Sequence, residues 1–308
     1  MERIVNFESI SDYNTFNNHE TLHPLVSILD LSKASPRSAY KMNFGIYTVI
    51  LKDVKCGDLK YGKEYYDYQE GTLVFFAPGQ VVEVEVESVG ITYQPYGHAL
   101  IFHPDLLAGT SLGRLIDDYS FFSYNTSEAL HLSEKERQII LDCFDKIAVE
   151  LQHDVDKHSK KLISSNIELL LNYCDRFYDR QFITRENANR GIMERFESLL
   201  TEFFSQNKAQ HLGLPTVSYC ADQLHLSSNY FGDLIKKETG RTAQDYIQSR
   251  IINIAKERVY DLNKSVSEIA YELGFKYPQH FTRLFKQKVG CTPLEYRKIA
   301  DLVQGTDN

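Results

Sequence analysis

The chain has 308 residues, 43% of them apolar and 25% charged, with a formal net charge of −8. Its length exceeds the ~250–300 residues at which a single core stops growing, so two domains are expected. No run of about 18 apolar residues occurs, and the opening MERIVNFESI lacks an apolar signal segment, so neither a membrane span nor secretion is expected. Five scattered cysteines (Cys56, Cys143, Cys174, Cys220 and Cys291) form no CxxC pair. They read as reduced, mostly buried thiols in a cytoplasmic protein, not as a disulfide frame or zinc site. The acidic total argues against nucleic-acid binding until it is divided along the chain. Residues 195–300 hold 15 Lys and Arg against 11 Asp and Glu, whereas the remainder holds 19 against 31. One segment is basic and the rest acidic, a hint that a nucleic-acid-binding part is attached to something else.

In chain order, strands are expected over about 40–105. Gly45 to Val54 is β-branched and aromatic, and Gly71 to Gln80 is a short apolar run ended by Pro-Gly. Val81 to Val89 alternates, with Val82, Val84 and Val86 on one face and Glu83, Glu85 and Glu87 on the other, as a half-buried strand does. Ala99 to Phe102 supplies a further run. Short strands separated by turn residues predict a small barrel or sandwich. Over about 133–179 the period changes to three and four, through Ile139, Ile140, Phe144, Ile147 and Leu151 and then Leu162, Ile167, Leu170 and Leu171. These predict amphipathic helices. Residues 1–180 are read as one domain and the polar stretch 181–191 as a linker. Residues 192–300 are read as an all-helical second domain, giving an α+β chain overall.

That second domain contains the same unit twice. Phe231, Leu234, Lys236, Gly240, Thr242 and Tyr246 recur fifty residues on as Phe281, Leu284, Lys286, Gly290, Thr292 and Tyr296. Upstream the offset is 49, pairing Val217, Ser218, Ala221 and Leu224 with Val266, Ser267, Ala270 and Leu273. The one-residue slip falls in a turn, where length changes cost least. In the second copy Ser265 and Glu268 have capping-box spacing, Gly274 suits a left-handed helix end, and Pro278 suits a first helical turn. The helix it opens is expected to bury Phe281, Leu284 and Phe285 and to project Gln279, His280, Thr282, Arg283 and Lys286. Two helices joined by a short turn have helix-turn-helix geometry, whose second helix fits the major groove. Between the units Ile247, Ile251, Ile254, Ala255, Val259 and Leu262 keep a helical stripe, which predicts one long helix spacing the two units.

With these residues in view, the IKKETGRTAQDYI run and the IAYELGF and HFTRLFKQKVGCTPLEYR patterns resemble the DNA-binding domain of the AraC/XylS family of bacterial transcription regulators. The resemblance implies two helix-turn-helix units joined by a long helix. It places base contacts at Gln279, His280, Thr282 and Arg283, with Lys286 and Lys288 near phosphates. In the first unit it places Asn229 and Tyr230 at base edges, with Ser228, Lys236 and Lys237 near phosphates. Gly232 and Asp233 fall at the remaining base-facing positions, and there the chain departs from many members: Gly232 has no side chain, and a carboxylate is repelled by phosphate. The strand-rich segment, through Ala99 to Leu107, resembles the family's cupin-like β-barrel with flanking helices, a sensor and dimerisation region.

His98 and His103, or His153 and His158, lack metal-ligand spacing, so no metal or cofactor is expected. Tyr47, Tyr66 and Phe76, among a group that includes Tyr65, Tyr68 and Phe75, are candidates for an effector pocket, with ordinary core as the competing use. The stripe of Ile139, Ile147, Leu151, Leu162 and Leu169 to Leu171 packs either on its own domain or on a second copy. The function the resemblance implies is a non-enzymatic, DNA-binding activator that partners promoter DNA, RNA polymerase and a second copy, with a sensor region that either holds a small-molecule effector or only dimerises. The alternative is a metal-dependent cupin enzyme with an accessory DNA-binding domain.

Overall fold

The computed structural model describes residues 4–37, 40–52, 71–84, 92–184 and 186–304. The chain divides into two compact units, Met1–Thr184 and Arg185–Asn308.

The first unit runs β1 (Ile4–Phe7), α1 (Ile10–Phe16), β2 (Val26–Asp30), β3 (Tyr40–Phe44), β4 (Tyr47–Lys52), β5 (Thr72–Phe76), β6 (Gln80–Val84), β7 (His98–Phe102), α2 (Leu112–Leu115), β8 (Leu130–His131), α3 (Glu134–Glu150) and α4 (Ser159–Thr184). Its strands form a three-stranded sheet ordered β1-β3-β6 and a five-stranded sheet ordered β2-β7-β4-β5-β8. Among the described residues these are two separate sheets accompanied by helices, with no ladder between them.

Period-two alternation decides what each face of the larger sheet touches. Thr48 lies opposite Phe76, and Ile50 opposite Val74, while β7 sets Ile101 and Ala99 beside the same β4 residues. This face packs with Phe7, Tyr13 and Phe44 in one buried cluster. Phe44 and Phe76 stack there at 4.9 Å. On the other face Phe75 meets Phe121 at 4.5 Å and Tyr178 of α4 at 6.2 Å. Both faces are covered, which is why Leu73 to Phe76 is an unbroken apolar run. In β6, Val82 sits opposite Met42 and packs on the core while Val81 is exposed. Residues 85–89 of the alternating segment lie outside the described residues.

Ile140, Cys143, Phe144 and Ile147 of α3 are buried, as are Ile167, Leu170, Leu171 and Cys174 of α4. Burial pushes the thiols of Cys143 and Cys174 up. Leu162 and Leu169 stay exposed, and Ile139 and Leu151 are half-buried. The stretch expected as a linker is helical on both sides of residue 185: α4 runs to Thr184, and the next helix begins at Glu186.

The second unit is helical: α5 (Glu186–Ser205), α6 (Lys208–Leu212), α7 (Val217–Gln223), α8 (Ser228–Thr239), α9 (Ala243–Arg258), α10 (Val266–Glu272), α11 (Pro278–Val289) and α12 (Pro293–Gln304). Its core is built on Phe196, Phe203, Phe231, Phe281 and Phe285, each at most 1% exposed. In α9 Ile247, Ile251, Ile252 and Ala255 are buried. Ile252 takes the place the sequence stripe gave to Ile254, which is half-buried, and Leu262 lies beyond the helix end and exposed. Among the described residues no helix is long and apolar enough to cross a membrane.

Candidate nucleic-acid interface

The second helix-turn-helix is built by local chemistry. Ser265 starts α10, its hydroxyl accepting from Glu268 N at 3.2 Å while Glu268 Oε2 accepts from Ser265 N at 2.7 Å. That reciprocal cap satisfies two helix-end donors and holds the Glu268 carboxyl below its usual range. The turn after α10 depends on Gly274, whose φ is +92°. A Cβ there would sit 2.7 Å from Gly213 C and 2.9 Å from Ala209 O, so glycine lets the end of α6 abut the turn. Pro278 opens α11 and Gly290, at φ +94°, closes it.

Phe281 and Phe285 bury the inner face of α11, while Leu284 is half-buried, not buried as its spacing predicted. Gln279, His280, Arg283 and Lys286 are exposed. At i, i+3 and i+4 spacing they share one helix face. Thr282 is half-buried, its hydroxyl donating to Pro278 O at 3.2 Å. Lys288 departs from the expected phosphate contact: its ammonium pairs with Asp245 near the start of α9, so that charge is already engaged within the unit.

The first recognition helix, α8, starts at Ser227, whose hydroxyl accepts from Tyr230 N at 3.2 Å. Ser228, Asn229, Lys236 and Lys237 are exposed, whereas Gly232 and Asp233 are half-buried. Tyr230 is 5% exposed. It is removed from the base-edge set, because the interior has taken up the large apolar ring at this first-turn position. Sequence reasoning missed Tyr277, 46% exposed just before α11, with Lys276 Nζ 5.6 Å from its ring centroid and the His280 ring 5.5 Å away. An aromatic residue ahead of Pro278 was the available signal.

The residues proposed for an effector pocket do not converge. Tyr47 stacks on Phe102 at 4.9 Å, and Phe76 packs on Phe44. Since Phe76 is opposite Thr48, Tyr47 and Phe76 point to opposite faces of one sheet. Tyr66 lies outside the described residues. An open hollow of about 400 Å³ lies elsewhere in the first unit, lined by residues that include Pro104, Leu107, Thr110 and Arg114. His103 caps the turn at Pro104, its Nδ1 accepting from Asp105 N at 3.2 Å. Among the described residues no three His, Cys, Asp or Glu side chains gather as a metal site.

Two helix-turn-helix units joined by a sixteen-residue helix define the class of the second unit: a tandem helix-turn-helix domain. Residues 220–299 match the family model described as a helix-turn-helix domain. The chain is 33% identical over 144 residues to the HTH-type transcriptional regulator YfiF of Bacillus subtilis, covering 46% of this chain and 41% of that one. It is 32% identical over 104 residues to the bifunctional transcriptional activator/DNA repair enzyme AdaA of the same organism, covering 34% of this chain and 48% of that one. A crystal structure of the C-terminal domain of the two-component response regulator yesN from Fusobacterium nucleatum aligns at 28% identity and a TM-score of 0.30, over 34% of this chain and 96% of that one. The chain spans less than half the length of these two curated relatives. Its C-terminal unit is an AraC-type helix-turn-helix domain.

Proposed function

We propose that the protein is a sequence-specific, DNA-binding transcription regulator that works without catalysis. The observation that carries this reading is α11. Its inner face is locked by Phe281 and Phe285, and its outer face leaves Gln279, His280 and Arg283 in solvent. An α-helix fits the ~12 Å major groove, and there Arg283 can fork to guanine O6 and N7, with Gln279 bidentate to adenine. Thr282, at the edge of that face, is within reach of a base through its methyl group. Lys286, Lys236 and Lys237, with Ser228, supply sequence-independent attraction to phosphates, which salt screens steeply. In the first unit Asn229 is left as the principal base reader.

The wider reading extends to promoter DNA in the cytoplasm, an activating contact with RNA polymerase, assembly as a homodimer, and a small-molecule effector held by the first unit. The names of the relatives support regulation, and the exposed Leu162 and Leu169 of α4 suit a second copy. A mobility-shift assay tests the core of the proposal. Arg283→Ala is expected to cost ~1–3 kcal/mol at one base position and to relax preference there. Unchanged affinity and preference would remove α11 as the reading element.

A further inference from the structure

Each helix that follows a recognition helix sends an arginine back to a carbonyl at the end of an earlier helix, α5 for the first unit and α9 for the second. Arg258, in the last turn of α9, donates from Nη2 to Phe204 O near the end of α5, at 3.2 Å. Arg297 of α12 donates from Nε to Val259 O, at the C-cap of α9, at 2.6 Å. Its Nη2 also donates to Asp261 O at 3.2 Å and to Lys264 O at 3.0 Å. The two arginines are not equivalent in the sequence repeat. The position fifty residues before Arg297 is Ile247, buried in α9. The contact recurs where the sequence register does not.

We infer that Arg297 is a positioning residue for two-site DNA recognition: it sets the turn between α9 and α10, and thereby the separation of α8 and α11. The inference rests on the DNA-binding reading above. Residues 259–265 are the covalent route from the long helix to the second unit, because Val259 caps α9 and Ser265 caps α10. The last carbonyls of a helix have no donor within it, and a cation there also opposes the helix dipole. A guanidinium is planar and forked, so one side chain serves three carbonyls in a fixed arrangement; a lysine ammonium is a point charge on a flexible stem. Glu272 of α10 braces the same turn, meeting Lys264 Nζ at 2.6 Å and Arg258 Nη1 at 3.6 Å. With the turn held, two recognition helices about 34 Å apart enter successive major grooves in one register. With it loose, the second helix is only tethered, so spacing matters less and the gain from linking the two falls.

The test uses the full chain. Wild-type protein first selects duplexes from a random pool by mobility shift, and the best duplex is then rebuilt with one or two base pairs inserted between its two halves. The wild type is expected to lose on the order of tenfold in affinity per insertion, and Arg297→Lys no more than about threefold, because a flexibly linked pair tolerates spacing. Both proteins are expected to bind a single half-site equally. Wild-type spacing discrimination in Arg297→Lys overturns the inference, whether or not its melting temperature falls, since the charge alone is then sufficient. Should Arg297→Lys fail to fold, Glu272→Gln decides: relaxed spacing supports the braced turn, and unrelaxed spacing overturns it. Selection of no duplex by the wild type is a separate failure, seen before any variant is made, and it removes the DNA-binding reading together with this inference.

Discussion

The two helix-turn-helix units share an interior and differ on the outside. Phe231 and Phe281 are both fully buried, and Gly240 and Gly290 end their helices at φ +71° and +94°. At the outward positions of the repeat, fifty residues apart, however, Asn229 corresponds to Gln279, Gly232 to Thr282 and Asp233 to Arg283. Tyr230 is buried where His280 is exposed. The buried positions fix the backbone, and a mistake there costs stability; the outward positions are free to diverge, and under the proposed function any difference in reading falls to them. Repetition thus describes how the units fold and not what each recognises.

The largest expected effect tests the shared interior. Phe231→Ala and Phe281→Ala should each lower stability by ~3–5 kcal/mol in urea unfolding, and costs differing by more than about half would break the equivalence of the two cores. The turns come next, because they are built differently. Gly274 has His225 as its counterpart, a non-glycine residue at φ +60°. Gly274→Ala meets both a left-handed backbone and the atoms of Gly213, so a loss of ~2 kcal/mol or more in thermal unfolding is expected. His225→Gly should change stability by under ~1 kcal/mol, since relief of strain and added chain entropy oppose each other. A third contrast is on the surface: Arg283→Ala should weaken binding, whereas Asp233→Ala, by removing a carboxylate that a polyanion repels, should leave affinity unchanged or raise it in the same mobility shift. A drop for Asp233→Ala would assign that residue to base reading, as an acceptor from cytosine N4.

The smallest effect is on the caps. Thr216 accepts from Tyr219 N at 3.1 Å in the first unit, where no acid closes the box, whereas Ser265 pairs with Glu268 in the second. Backbone and hydroxyl hydrogen bonds from Ser265 lower the Glu268 carboxyl from its ordinary 4.5. A depressed folded value means the stabilisation is present above that ordinary value and is lost as pH falls through the folded one. Glu268→Gln should therefore flatten the acid limb of a stability–pH curve slightly, and an unchanged limb would show the cap to be indifferent to charge.

Much of the second unit was legible because its signals are local. Ser265 and Glu268, Gly274, Pro278 and Gly290 each act within one turn of chain, so their spacing alone placed α10, the turn and α11. The first unit was less legible. Ile4–Phe7 pairs with Tyr40–Phe44 in parallel, and Val26–Asp30 pairs with His98–Phe102 of β7, far along the chain. A four- or five-residue strand carries too few alternations to declare itself without its partner. The exception is α1, whose Ser9 and Asp12 capping box is a local signal of the same kind as that of α10.

The sequence by itself determined the duplication, the starts of α10 and α11, and the inward-facing Phe281 and Phe285. Tertiary structure alone decided that Tyr230 is core, that Lys288 is held by Asp245, and that Tyr47 and Phe76 lie on opposite faces of one sheet. It also decided that Arg297 reaches back to the end of α9. Periodicity assigns a side chain to a face of its own element, but its partner there comes from chain tens of residues distant, brought alongside only when the core closes.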